Sequence, residues 1–201
     1  FNNTFLSVGK VVIDDEQALW IPTSGGLCKY KSGIFTQIGE APIRTQCITS
    51  YDQTHLLVAS QDSIRLLNTN TLKQKSIYGI EDMFQINTLF YDHKREVVWI
   101  GTSTDGLFYL DMKKKTLLPF SNFPKQPIAV ITESSDSTLL VGIDGQGVWE
   151  LDKDKKTVLN ILKEDIDNPF SLRGDGVYDI FCDGQQRVWV TTYTGGLSFF
   201  D

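Results

Sequence analysis

The chain has 201 residues, 41% of them hydrophobic and 22% charged, a balance ordinary for a globular domain and long enough to bury about 70% of its unfolded surface. With 19 basic against 25 acidic residues and a net charge of -6, the composition argues against direct nucleic-acid contact by this segment. No apolar run approaches the roughly 18 to 20 residues of a membrane span, and no signal-peptide pattern opens the chain at Phe1, so any such segment is expected outside this sequence.

In chain order the pattern is one of short strands. Residues 1–6, with Phe5 and Leu6, read as an isolated outer strand, and the chain then writes one unit five times. A first strand is predicted at 8–13, 47–51, 86–91, 128–132 and 177–182, rich in β-branched and aromatic residues. Polar turns follow at 14–17, 51–55, 91–96, 133–137 and 182–187. A second strand then opens around a large apolar residue: Trp20, Leu57, Trp99, Leu140 and Trp189, at intervals of 37, 42, 41 and 49 residues. Third strands are predicted at 27–30, 64–68, 107–111, 148–152 and 197–200. Fourth strands follow at 34–38, 75–78, 116–118 and 158–162, with none in the last copy.

Connections this short force neighbouring strands into antiparallel hairpins. A period near 40 residues with four strands per copy is the mark of a β-propeller, each copy being one blade. One blade has two apolar faces and cannot bury both alone, whereas radial stacking covers both. The expected fold is therefore all-β, with about five four-stranded blades over residues 1–201 as a single propeller segment. Trp20, Trp99 and Trp189 share one place and are expected between blades, with Leu57 and Leu140 filling it with less volume. If residues 5–6 complete the last blade the ring closes at five; otherwise the segment is an arc of a larger ring.

Candidate chemistry is sparse. Cys28, Cys47 and Cys182 lie in strands of different blades and read as small hydrophobes, with a Cys28–Cys47 bridge left open. His55 and His93 fall in first-to-second turns and read as solvated, with no metal-binding spacing around them. The lysines at 113–115 and 153–156 read as solvated hairpin tips. Gly142, Gly145 and Gly147 are hairpin glycines and not a dinucleotide fingerprint. No catalytic constellation, cofactor motif or metal site is expected.

The end of the blades carrying second-to-third turns and blade connections is the expected binding surface. The connections at 39–46, 79–85, 120–127 and 163–176 contribute Arg44, Phe84, Phe123, Lys125 and Arg173, and the tight turns add Asp105 and Tyr193. Aromatic planes with cationic forks suit a sugar or other polar ligand, Arg selecting carboxylate or sulfate. The competing reading is that Phe84, Phe123 and Phe170 plug gaps between blades.

The stretch NPFSLRGDGVYDIFCDGQQRVWVTTYTGGLSFFD resembles the two-component regulator propeller repeat, with its "SL" entry, strand ending in Asp, "LWIGT", "GGL" turn and "FD". VVWIGTSTDGLFYLD at 97–111 and ALWIPTSGGLCKY at 18–30 carry the same pattern, the latter with Pro22 at the usual Gly. The copies at 56–68 and 139–152 lack the Trp. The resemblance implies a periplasmic sensor segment of an inner-membrane-anchored hybrid histidine kinase. It further implies an oligosaccharide ligand, a second propeller and a β-sandwich in the same protein, a homodimer of the full sensor, and an arc of a seven-bladed propeller. No ligand residue transfers, because the motif is architectural. Two alternatives stand beside it: a propeller enzyme resembling streptogramin lyases, which need a channel His, and a protein-binding scaffold.

Overall fold

The computed structural model describes residues 9–39, 45–80 and 85–200, and every regular element among them is a β-strand. The first blade pairs β1 (Val12–Ile13), β2 (Leu19–Thr23), β3 (Gly26–Lys31) and β4 (Ile34–Ile38) in that order. The second pairs β5 (Thr45–Asp52), β6 (His55–Ser60), β7 (Ser63–Asn68) and β8 (Gln74–Gly79). The third holds β9 (Ile86–Asp92), β10 (Val97–Thr102), β11 (Leu107–Asp111) and β12 (Thr116–Pro119), and the fourth β13 (Ile128–Glu133), β14 (Thr138–Ile143), β15 (Gly147–Asp152) and β16 (Thr157–Leu162). The fifth has three strands, β17 (Val177–Cys182), β18 (Val188–Thr192) and β19 (Gly196–Phe200). These are β-propeller blades, and all five apolar marks fall in second strands. His55 opens β6 instead of lying in the turn before it.

The chain forms two compact units, Phe1–Val98 with Leu110–Leu117 and Trp99–Tyr109 with Leu118–Asp201. In the first, β5 packs beside both β2 and β9. Trp20, Leu27 and Ile38 of the first blade meet Ile48, Leu56, Val58 and Leu67 of the second. In the second unit β17 packs against β13 and β14, and Val130, Leu140 and Val148 meet Val177, Ile180 and Val190. Leu140 thus does for the fourth blade what Trp20 does for the first. Each such side chain contributes about 1.5 to 3 kcal/mol of gross burial.

The repeat motif has a physical cause at each position. A Cβ placed on Gly142 would lie 2.6 Å from Val177 Cγ1 and 2.7 Å from Val130 Cγ1, so the neighbouring first strand approaches where only hydrogen fits. The hydroxyl ending a second strand ties down the next turn. Thr23 Oγ1 donates to Gly26 O (2.7 Å) and Thr102 Oγ1 to Gly106 O (2.8 Å), while Thr192 Oγ1 accepts from Gly195 N (3.1 Å). The Asx residue ending a third strand accepts the next turn's amides: Asn68 from Asn70 and Thr71, Asp111 from Lys113 and Lys114, Asp152 from Asp154 and Lys155.

Three expectations need correction, and the alternative left open for the cysteines is decided. Lys153 is fully buried, because its N–H donates to Ser137 O (2.8 Å) and draws it against the adjacent turn, where its ammonium pairs with Glu133. Lys156 is no solvated tip either: its Nζ sits 4.4 Å from the centre of the Trp99 ring and 5.2 Å from that of Tyr109, a cation-π lid. Trp189 is half-buried, with Phe181 and Phe199 exposed beside it, unlike the fully buried Trp20 and Trp99. Cys28, Cys47 and Cys182 are thiols, so the Cys28–Cys47 bridge is not formed, and burial pushes the Cys47 thiol well above its ordinary range.

Candidate functional site

At the connection end, second-to-third turns lean on the blade connections through backbone bonds. Ile80 N donates to Asp62 O (2.7 Å), Asp144 N to Pro127 O (2.9 Å), Gly147 N to Asp175 O (2.9 Å) and Tyr193 N to Gly176 O (2.9 Å). Gly195 is required by one of these approaches, since a Cβ there would lie 1.6 Å from Arg173 O. Side chains on these segments are therefore carried by a rigid frame.

Of the residues expected to bind, Arg44 and Phe84 lie outside the described residues. Asp105, Phe123, Arg173 and Tyr193 fall into two groups, both in the second unit. Asp105 and Phe123 form one: Phe123 Cδ1 lies 3.8 Å from a Cβ placed on Gly106. Asp105 is spent locally, its N–H donating to Thr102 Oγ1 (2.9 Å) and its Oδ2 accepting from Thr104 (2.8 Å). Phe123 packs edge-on against Phe120 at 5.4 Å and Trp149 at 5.0 Å, which is the gap-plugging geometry. Phe170 does not plug: it is 86% exposed.

Arg173 and Tyr193 form the second group, joined through the Gly195 contact and the Tyr193–Gly176 bond. Both side chains are exposed. Sequence reasoning missed two neighbours. Tyr178, at the start of β17, meets Tyr193 at 5.4 Å with the rings 87° apart. Asp144 approaches from the β14–β15 turn, its Oδ1 3.4 Å from a Cβ placed on Gly176. Tyr178 could have been suspected from GVYDI, where Val177 and Ile180 claim the core and leave the tyrosine outside. Nothing in the sequence signals Asp144, because its proximity spans two blades.

The opposite end of the first unit holds a cavity of about 430 Å³ lined by Asp14, Asp15, Ser50, Asp52, Thr69 and His93 among others. Its carboxylates are largely occupied. Asp14 accepts from Glu16 N, Ala18 N and Trp20 Nε1, and Asp52 from Thr54 and His55 Nδ1 at 2.9 Å. Burial opposes these bonds at both residues, yet each carboxyl stays below its ordinary pKa, Asp14 chiefly through Trp20 and Asp52 chiefly through Thr54 N–H. His55 Nε2 faces Asn68 Nδ2 at 3.1 Å, so the imidazole is held as a structural link. His93 packs edge-on against Tyr91 at 4.6 Å. Among the described residues no cluster of His, Cys, Asp and Glu is placed to hold a metal ion.

Residues 171–194 match the family model described as two component regulator propeller. Histidine kinase P4 of Formosa agariphila is 25% identical over 166 residues, covering 73% of this chain and 12% of that protein. The chain thus spans about an eighth of the curated relative it matches. Among solved structures, the extracellular domain of a hybrid two component system from B. thetaiotaomicron aligns with a TM-score of 0.73 at 21% identity, covering 96% of this chain and 26% of that one. PorZ, a surface component of the type-IX secretion system of Porphyromonas gingivalis, aligns with a TM-score of 0.68 at 14% identity, covering 99% of this chain and 34% of that one. At these identities the structural likeness establishes the propeller fold.

Proposed function

We propose, from the match of residues 171–194 to the two component regulator propeller model, that this chain is the extracytoplasmic ligand-sensing part of a hybrid two-component histidine kinase. Its ligand is an oligosaccharide released from a polysaccharide, and its signal is directed to carbohydrate-utilisation genes. The observation carrying this reading is that the matched segment itself holds Arg173 and Tyr193, exposed at the connection end on a rigid frame. The segment performs no chemistry. Phosphotransfer belongs to a kinase elsewhere in the protein, across the inner membrane from this periplasmic part.

In this reading the five blades are an arc of a larger propeller, followed by a second propeller and a β-sandwich, and the full sensor works as a homodimer. The exposed Phe181 and Phe199 beside Trp189 support a further blade there, since the equivalent faces at Trp20 and Leu140 are covered by the next sheet. A ligand acts by binding one arrangement of the sensor better than the other and shifting the kinase between its two states.

The test is autophosphorylation of the intact protein in membrane vesicles, with and without oligosaccharide fractions from enzymatic polysaccharide digests. A change in phosphate incorporation with one fraction is expected. An identical rate with every fraction would overturn the proposal.

A further inference from the structure

We infer that the corner formed by Tyr178, Tyr193 and Asp144 seats an uncharged pyranose ring, so that the sensor reads neutral and not acidic or sulfated oligosaccharides; this rests on the sensing function proposed above. The two tyrosine rings are 63% and 65% exposed, and they stand 87° apart at 5.4 Å, presenting two walls of a right-angled recess. A monomeric surface has little reason to hold two large rings in water in fixed mutual geometry. An aromatic face does suit the flat C–H face of a sugar, and the phenol hydroxyls stay available for its polar edge.

The recess is kept open by Gly176. A Cβ there would lie 3.1 Å from Tyr193 Cδ2 and 3.4 Å from Asp144 Oδ1. Tyr193 and Asp144 are therefore no farther apart than those two distances combined, a separation that one sugar ring bridges. Asp144 is exposed and sits on a turn anchored by its own N–H to Pro127 O. A carboxylate so placed accepts charge-assisted hydrogen bonds from neighbouring ring hydroxyls.

Charge selects against anionic ligands. The connection and strand that frame the recess add Asp175, whose Oδ1 accepts from Glu164 N, and Asp179, whose Oδ1 accepts from Ile180 N. Arg173 and Lys163 are the cations on the same connection, Lys163 Nζ donating to Gln146 Oε1 at 2.9 Å. The carboxylate set beside Tyr193 is that of Asp144, so an acidic or sulfated sugar would meet a like charge at the corner, whereas a neutral sugar meets an acceptor for its hydroxyls.

The experiment is calorimetric titration of the intact protein with neutral hexasaccharides (gluco-, manno- and xylo-series) and with uronate and sulfated hexasaccharides. We expect a neutral hexasaccharide to bind, with affinity falling about tenfold in Tyr193→Ala and in Tyr178→Ala. Tyr193→Phe, which keeps the ring and loses the hydroxyl, should weaken it less than Tyr193→Ala, and the thermal midpoint of each of these variants should stay that of wild type because the rings are exposed. Binding of uronate or sulfated sugars alone, abolished by Arg173→Ala, would overturn the neutral-sugar assignment and leave the sensing function standing. Neutral binding unaffected by the Tyr178→Ala/Tyr193→Ala double variant would overturn the corner as the site. No binding of any of these sugars would overturn the oligosaccharide-sensing function and this inference together.

Discussion

Asp183 and Trp189 are joined by a 2.9 Å hydrogen bond from the indole Nε1–H to carboxylate Oδ2, and Trp20 makes the same bond at 2.8 Å to Asp14. In both blades the other carboxylate oxygen accepts two amides of the intervening turn. One aspartate thus folds the turn and fixes the orientation of the ring. In the third blade one more residue separates Asp92 from Trp99, and the bond is missing: Trp99 Nε1 has no hydrogen-bond partner, while Asp92 bonds Arg95 Nη1 at 3.1 Å.

The Asp183–Trp189 bond fixes the sign of a pH effect. The Trp189 N–H, opposed by slight burial and joined by Arg187 and the Gln185 and Arg187 amides, holds the Asp183 carboxyl well below the ordinary carboxylate range. A depressed folded pKa contributes stability that is fully present above the unfolded value, about 4, and is lost as pH falls through the folded one. Asp183→Asn should therefore lower the thermal midpoint at pH 7, and its deficit relative to wild type should shrink below about pH 4. A deficit constant between neutral and strongly acid pH would contradict the linkage.

Ring burial separates two tryptophans that the sequence makes equivalent. Trp99 is fully buried, and Trp99→Ala should cost about 3 to 5 kcal/mol in denaturant unfolding. Trp189 keeps part of its surface in water, so Trp189→Ala should cost roughly half as much. Equal losses would mean that Trp189 is covered as fully as Trp99.

A methyl group at Gly142 has nowhere to go between Val130 and Val177. Gly142→Ala should cost about 1 to 3 kcal/mol by overpacking. Adding Val177→Ala should recover part of that loss, since the two sites share one contact. Strictly additive costs would show that the strands do not approach as closely as described.

Blade architecture was legible because it is written in local signals. The Asp at four of the five polar turns, the apolar mark and the hydroxyl that ends four of the five second strands each act within a few residues of themselves, and strands such as β11 and β17 fell where periodicity placed them. What was not legible depends on partners far along the chain. Lys153 and Lys156 look like any charged hairpin tip until the turn at Ser137 and the Trp99 ring are placed beside them. The same limit applied to the candidate site. Arg173 and Tyr193 could be assigned to one end from connection geometry, but Asp144 reads as a turn residue until Gly176 brings it beside Tyr193.

The most direct test of the claim that ligand is recognised at the connection end is hydrogen exchange on the intact protein, with and without a saturating neutral hexasaccharide. Slower exchange is expected at residues 143–147, 173–178 and 192–196, the three segments that frame Tyr178, Tyr193 and Asp144. Slowing confined instead to residues 14–17, 51–55 and 92–96, around the 430 Å³ cavity of the first unit, would contradict the account.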